Sequence, residues 1–220
     1  MNFKKTYFTF FILSLNILVC LNSTAQDITA FTDNRGNLQV FDKGFYRQLE
    51  YLPVTSYKIG GNSIAYIDHK NDFKIYYDGQ TFPLLNAADF GYYVTNNITV
   101  FKVGNVLYVF DKGEKKTLCY YSSMIAANDS IVSFFDESQS SLNIYYNGAI
   151  AKTEDAFIAR PKAIKTGANL VAWINQSNYF NVFYRGRLIE LDNMAPIQFE
   201  AGRDIVAYVD DYEQKIPTVL

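Results

Sequence analysis

The sequence predicts an all-β fold assembled from a repeated unit of about 35 residues, each unit carrying four short strands. Three observations lead there. Aromatic residues recur at Phe31, Tyr66, Phe101, Phe134, Trp173 and Tyr208, 33 to 39 residues apart and each inside a short apolar run. Glycines recur at Gly44, Gly79, Gly113, Gly148 and Gly186, 34 to 38 residues apart, each closing a second apolar run. An Asp or Asn ends the first run at Asp33, Asp68, Asp136, Asn175 and Asp210.

The first 25 residues read as a signal peptide rather than as part of the fold. Lys4 and Lys5 supply a positive leader, an apolar run follows, and Ser23-Thr24-Ala25 offers the small residues of a cleavage site, leaving Gln26 as the new N-terminus. A lipoprotein acylated on Cys20 is the rival reading, and Val19 speaks against it because the residue before such a cysteine is normally small. No later stretch is long and apolar enough for a membrane span. Export therefore delivers the chain to the periplasm, the cell surface or the medium.

Each unit opens with a strand whose two faces are both apolar, as in Ile64-Ala-Tyr-Ile67 and Leu170-Val-Ala-Trp-Ile174. Such a strand is expected between two neighbouring sheets, as the innermost strand of its own. The small residue before the aromatic (Ala30, Ala65, Ser133, Ala172, Ala207) leaves room for a bulky group from the next sheet. The second strand alternates β-branched and aromatic residues, as in Phe73-Lys-Ile-Tyr-Tyr77, and ends in a tight turn such as Asp78-Gly79 whose backbone requires positive φ. A more polar third strand follows (Arg47–Glu50, Thr81–Leu84, Leu188–Leu191), then a fourth (Ser56–Ile59, Gly91–Val94, Lys162–Lys165, Ile197–Glu200). Ser122 to Asn128 carries this fourth strand weakly.

Four short antiparallel strands joined by tight turns make the blade of a β-propeller. The units run from about 27–61, 62–96, 97–128, 129–167 and 168–202, with a partial sixth at 203–220, inside one repeat domain spanning 26–220. A β-solenoid or flat meander would need a shorter period or longer strands. The tail Asp211–Leu220 lacks the expected strand and places Pro217 where one was due. Strand pairs counted from Asp27 come to an odd number, whereas a closed ring of four-stranded blades requires an even one. The chain thus reads as an incomplete ring, a truncated form of a longer propeller, and exposed blade faces favour self-association.

Ala30-Phe-Thr-Asp33, Ala65-Tyr-Ile-Asp68, Ala172-Trp-Ile-Asn175 and Ala207-Tyr-Val-Asp210 resemble the Tyr-Trp-Thr-Asp signature of YWTD, NHL and TolB-like propeller repeats. The resemblance implies the architecture and carries no functional residue. The period is shorter than in those families, and the segment that precedes each of their blades is absent.

Composition narrows function. Net charge is −2 with no basic block, so no electrostatic case exists for nucleic acid. Beyond the leader, Cys119 is the lone cysteine and reads as a buried structural thiol. His69, the single histidine, lies in a turn, where exposure without a catalytic partner is expected. The recurring Asp or Asn invites comparison with a Ca²⁺ ladder, but a side chain capping its own turn explains it better. Asn97, Asn128 and Asn175 open glycosylation triplets of little weight in a chain with a bacterial-type leader. The sequence offers no catalytic, cofactor or metal motif. It is expected to encode an exported, non-catalytic binding or scaffold module that recognises a protein or glycan through one rim. An exported propeller hydrolase or lyase acting on carbohydrate is the alternative, recognisable by acids clustered around one cavity with perturbed titration.

Overall fold

A computed structural model describes residues 28–86, 91–153, 163–209 and 218–219. The expected leader and cleavage site, Cys20, Asp210 and most of the tail including Pro217 lie outside these residues. The described residues form no helix, only antiparallel sheets. The first sheet joins β1 (Ile28–Thr32), β2 (Leu38–Asp42) and β3 (Phe45–Gln48). Four sheets of four strands follow. The second holds β4 (Ser56–Ile59), β5 (Ser63–Ile67), β6 (Asp72–Tyr77) and β7 (Gln80–Asn86). The third holds β8 (Gly91–Val94), β9 (Ile98–Val103), β10 (Val106–Asp111) and β11 (Glu114–Cys119). The fourth holds β12 (Ser122–Asn128), β13 (Ile131–Asp136), β14 (Ser141–Tyr146) and β15 (Ala149–Lys152). The fifth holds β16 (Ala163–Thr166), β17 (Leu170–Ile174), β18 (Phe180–Tyr184) and β19 (Arg187–Asp192). The last sheet joins β20 (Gln198–Ala201), β21 (Ile205–Val209) and β22 (Thr218–Val219).

The strands of each sheet are neighbours in sequence, joined as meanders, which is the blade geometry expected. Each four-stranded sheet takes its first strand from the end of one sequence repeat and the other three from the next. This corrects one expectation. The strand buried on both faces, β5 or β17, is the second of its sheet and not the innermost. Neighbouring sheets approach most closely through their first two strands, β4 and β5 against β8, and β16 and β17 against β20. The first strand stays partly exposed, as in β4, while the second is buried along its whole length, as in β5. The fourth strands are the outer, exposed ones. The Ser122–Asn128 segment, weak in sequence, is a full strand whose pairing with β13 shifts register between Ser123 and Ala126. Met124 takes a φ of 49° there, as a bulge requires.

The turns after the third strands follow the sequence expectation. Lys43-Gly44, Asp78-Gly79, Lys112-Gly113, Asn147-Gly148 and Arg185-Gly186 all have positive φ at both residues, the type I′ hairpin geometry. Packing between sheets obeys one rule. Ala65 and Ile67 on the side of β5 facing the third sheet pack with Phe101, and Ala172 and Ile174 of β17 pack with Val206 and Tyr208 of the last sheet. A small residue on one sheet thus receives an aromatic ring from the next. Phe73 at the start of β6 meets the rings of Tyr92 and Phe101, both at 5.1 Å. Phe180 at the start of β18 meets Phe199 and Tyr208 at 4.9 and 5.2 Å. Cys119 is buried in the core shared by the third and fourth sheets, as expected, and burial pushes its thiol up.

Candidate binding rim

Because the strands are antiparallel, every four-stranded sheet sends two of its turns to one rim: the turn joining first and second strands and the Gly-closed turn joining third and fourth. Side chains on this rim link blade to blade at the spacing of the repeat. Asn62 Nδ2 donates to the Asn97 carbonyl at 3.1 Å, and Asn97 Nδ2 donates to Asp129 Oδ1 and Ser130 Oγ. Farther along, Asn169 Nδ2 and Arg185 both donate to Asp204 Oδ1. Lys43 Nζ lies 2.7 Å from Asp78 Oδ1 on the neighbouring turn. The hydrogen bond from Lys43 and its charge hold the Asp78 carboxyl below the usual carboxylate range, and the same pairing raises the Lys43 ammonium.

Two clefts open between successive blades on this rim. One, of about 330 Å³, is lined by Ile28, Asp42, Lys43, Asn62, Tyr77 and Asp78 among others. The next, of about 280 Å³, is lined by Asn62, Tyr77, Asn97, Asp111, Lys112 and Asn147 among others. Asn62 and Tyr77 belong to both. The Asn62 Oδ1 atom is buried and accepts no hydrogen bond among the described residues. Tyr77 packs edge-on to Phe110 at 6.0 Å, which fixes its ring between the clefts. An aromatic ring flanked by amides, a lysine and carboxylates suits a polar ligand laid across several blades.

Beneath the rim, two tyrosine hydroxyls clasp adjacent blades. Tyr76 donates to Asp42 Oδ2 at 2.7 Å and Tyr145 to Asp111 Oδ2 at 2.6 Å. Burial, reinforced by the carboxylate that each must face, pushes Tyr76 up to about 12 and Tyr145 higher still. The clasp recurs in every second blade. Where Tyr76 and Tyr145 stand, the alternate blades have Phe41, Phe110 and Phe183.

The opposite rim carries the recurring Asp and Asn. Asp33 Oδ1 accepts from the N–H groups of Arg35 and Asn37, Asp68 Oδ1 from those of Lys70 and Asp72, Asp136 Oδ1 from Ser138, and Asn175 Oδ1 from Tyr179. Each caps its own turn. Burial alone would raise the Asp33 carboxyl, but the N–H groups of Asn37 and Arg35 outweigh it and leave it lowered. Asp68 is likewise lowered: burial opposes, while Lys74 and the turn N–H groups prevail. Lys74 Nζ sits 2.8 Å from Asp68 Oδ2 and 2.7 Å from Glu50 Oε1, and Tyr66 donates to that same Glu50 oxygen. His69 is exposed in the adjoining turn. Among the described residues no cluster of His, Cys, Asp and Glu has metal-binding geometry. The sequence pointed to this rim's acids and missed Asn62 and Tyr77 on the other, because neither repeats strictly. The preserved Gly turns were the available signal.

Comparison with known proteins bears on the architecture. Residues 22–217 match the family described as the 10-bladed β-propeller domain. No curated protein matches the chain. Among solved structures, human WBSCR16 is similar at 7% identity, over 84% of this chain and 70% of that one, with a TM-score of 0.41. The CRINKLY WD40 ectodomain of the Arabidopsis thaliana receptor kinase ACR4 is similar at 10% identity over 88% and 76%, with a TM-score of 0.42. Prp20p of Saccharomyces cerevisiae is similar at 10% identity over 81% and 65%, with a TM-score of 0.39. No residue role is carried across from these structures.

Proposed function

The chain belongs to the family of 10-bladed β-propeller domains, and on that premise we propose that it is an exported, non-catalytic binding module of the cell envelope or secretome that recognises a protein or glycan. The observation that carries this reading is the pair of linked clefts around Asn62 and Tyr77 on the Gly-turn rim. They are shared between blades and lined by amide, lysine and carboxylate side chains, so an extended polar ligand would gain contacts from several sheets at once. The leader, with Lys4, Lys5 and the Ser23-Thr24-Ala25 site, supports export. Among the described residues, Asp33, Asp68 and Asp78 have lowered carboxyls, held by turn N–H groups, by Lys74 with turn N–H groups, and by Lys43, respectively.

A glycan array and a pull-down from envelope extract, each run with the exported protein and with Asn62→Ala and Tyr77→Ala, test the proposal. Binding of one ligand class that falls at least about tenfold in both variants is expected. Turnover of a polysaccharide by the purified protein would overturn it, as would binding indifferent to both substitutions. N-terminal sequencing of the exported product should begin at Gln26.

A further inference from the structure

The first and last described sheets each leave one face bare, and the two faces are the unmatched halves of the packing that joins the second sheet to the third and the fifth to the last. On the first sheet, Phe31 is 41% exposed, whereas its equivalents Tyr66, Phe101, Phe134 and Trp173 are 0 to 2% exposed against the preceding sheet. The register places Thr29, Phe41 and Tyr46 side by side on that face, next to Phe31 and Gln39. The Tyr46 ring meets Phe41 at 5.2 Å and Phe31 at 6.0 Å. A three-ring cluster in water is costly to leave open. On the last sheet, Ile205, Ala207 and Val209 share the face directed away from the fifth sheet, with Val209 41% exposed. Their equivalents in β5 and β17, Ala65 with Ile67 and Ala172 with Ile174, are buried and receive the next sheet's aromatic residues. One bare face therefore offers the small, β-branched half and the other offers the rings. Thr29 and Gln39 on one face and Gln198 and Glu200 on the other bring no like charges together.

We infer that the chain associates head to tail with a second copy of itself, the Phe31–Phe41–Tyr46 face of one packing on the Ile205–Ala207–Val209 face of the other as one blade packs on the next. Such a contact is heterologous, so it either closes a ring or propagates. The inference does not depend on what the rim binds. The test is mass measurement of the full exported chain by analytical ultracentrifugation. The wild type should run at twice the monomer mass or above. Phe31→Glu, which disables every head, and Val209→Glu, which disables every tail, should each run as a folded monomer by circular dichroism. Mixed in equal amounts, they should form a dimer, because one intact head then meets one intact tail. Should either variant unfold, Tyr46→Glu and Ile205→Glu serve in its place. A monomeric wild type, variants that remain associated, or two folded monomers that fail to pair on mixing would each overturn the inference.

Discussion

Removing one oxygen from Tyr145 should weaken the joint between the third and fourth sheets. The hydroxyl donates to Asp111 Oδ2 at 2.6 Å, and both residues are buried. Tyr145→Phe keeps the ring and its packing but leaves the carboxylate without this donor. Hydrogen bonds to charged groups contribute about 1.5–3 kcal/mol, so a loss of about 2 kcal/mol is expected. Tyr76→Phe breaks the equivalent bond to Asp42, which is only half-buried and can recover water, so about 1 kcal/mol is expected there. The assay is urea unfolding followed by Trp173 emission and far-UV circular dichroism together, because a repeat array can open in parts. Trp173 is the single tryptophan and packs on the fourth sheet through Phe135, Leu142 and Ile144. The midpoint for Tyr145→Phe should fall by on the order of 1 M urea. The pH dependence has a fixed sign. The Tyr145 hydroxyl is raised in the folded chain, so its contribution is complete below the unfolded value near 10 and is lost as pH rises above it. Tyr145→Phe should therefore lose less stability between about pH 9 and 11 than the wild type. A Tyr145→Phe protein within about 0.5 kcal/mol of wild type, or one less affected than Tyr76→Phe, would refute the reasoning.

Three further outcomes are expected. Gly167→Ala would bring a Cβ to 1.9 Å from the Gly202 carbonyl oxygen, a backbone atom of the next sheet, and should lower the melting temperature by about 6 °C or more; Gly91→Ala, with open space around it, should be close to neutral in the same scan. Asp68 is lowered in the folded chain, so its contribution is complete above the unfolded value of 3.8 and is lost as pH falls through the folded one; Lys74→Met should move the acid midpoint, read by circular dichroism, upward. Lys74 is raised, so the same pair should also weaken as pH climbs past 10.5, and an alkaline scan that shows Lys74→Met and wild type losing stability in parallel would count against it.

The sequence made the second and third strands legible because their signals are local. The alternation Phe73-Lys-Ile-Tyr-Tyr77 and the Asp78-Gly79 turn fix strand, face and hairpin within seven residues. The capping role of Asp33, Asp68, Asp136 and Asn175 was equally local and was read correctly. The innermost strand was not legible. Burial on both faces at Ile64–Ile67 says that two sheets enclose a strand, and it says nothing about which strand borders the axis. Ser56–Ile59 looks peripheral in sequence because its residues are only partly buried or exposed. The alternation of Phe41, Tyr76, Phe110, Tyr145 and Phe183 was present in the sequence, but it reads as interchangeable aromatics until Asp42 and Asp111 are placed across the gap. The candidate rim was hidden for a similar reason. Asn62 and Tyr77 meet only because a first-to-second-strand turn and the end of a third strand reach the same rim.

Amide hydrogen exchange, resolved by strand, asks most directly whether the second strand of each blade is the enclosed one. The account predicts the slowest exchange in Ser63–Ile67, Ile98–Val103, Ile131–Asp136 and Leu170–Ile174, with faster exchange in Gln80–Asn86 and Arg187–Asp192 at the outer edge. Equal protection across all strands, or greater protection in the outer strands than in those four, would contradict it.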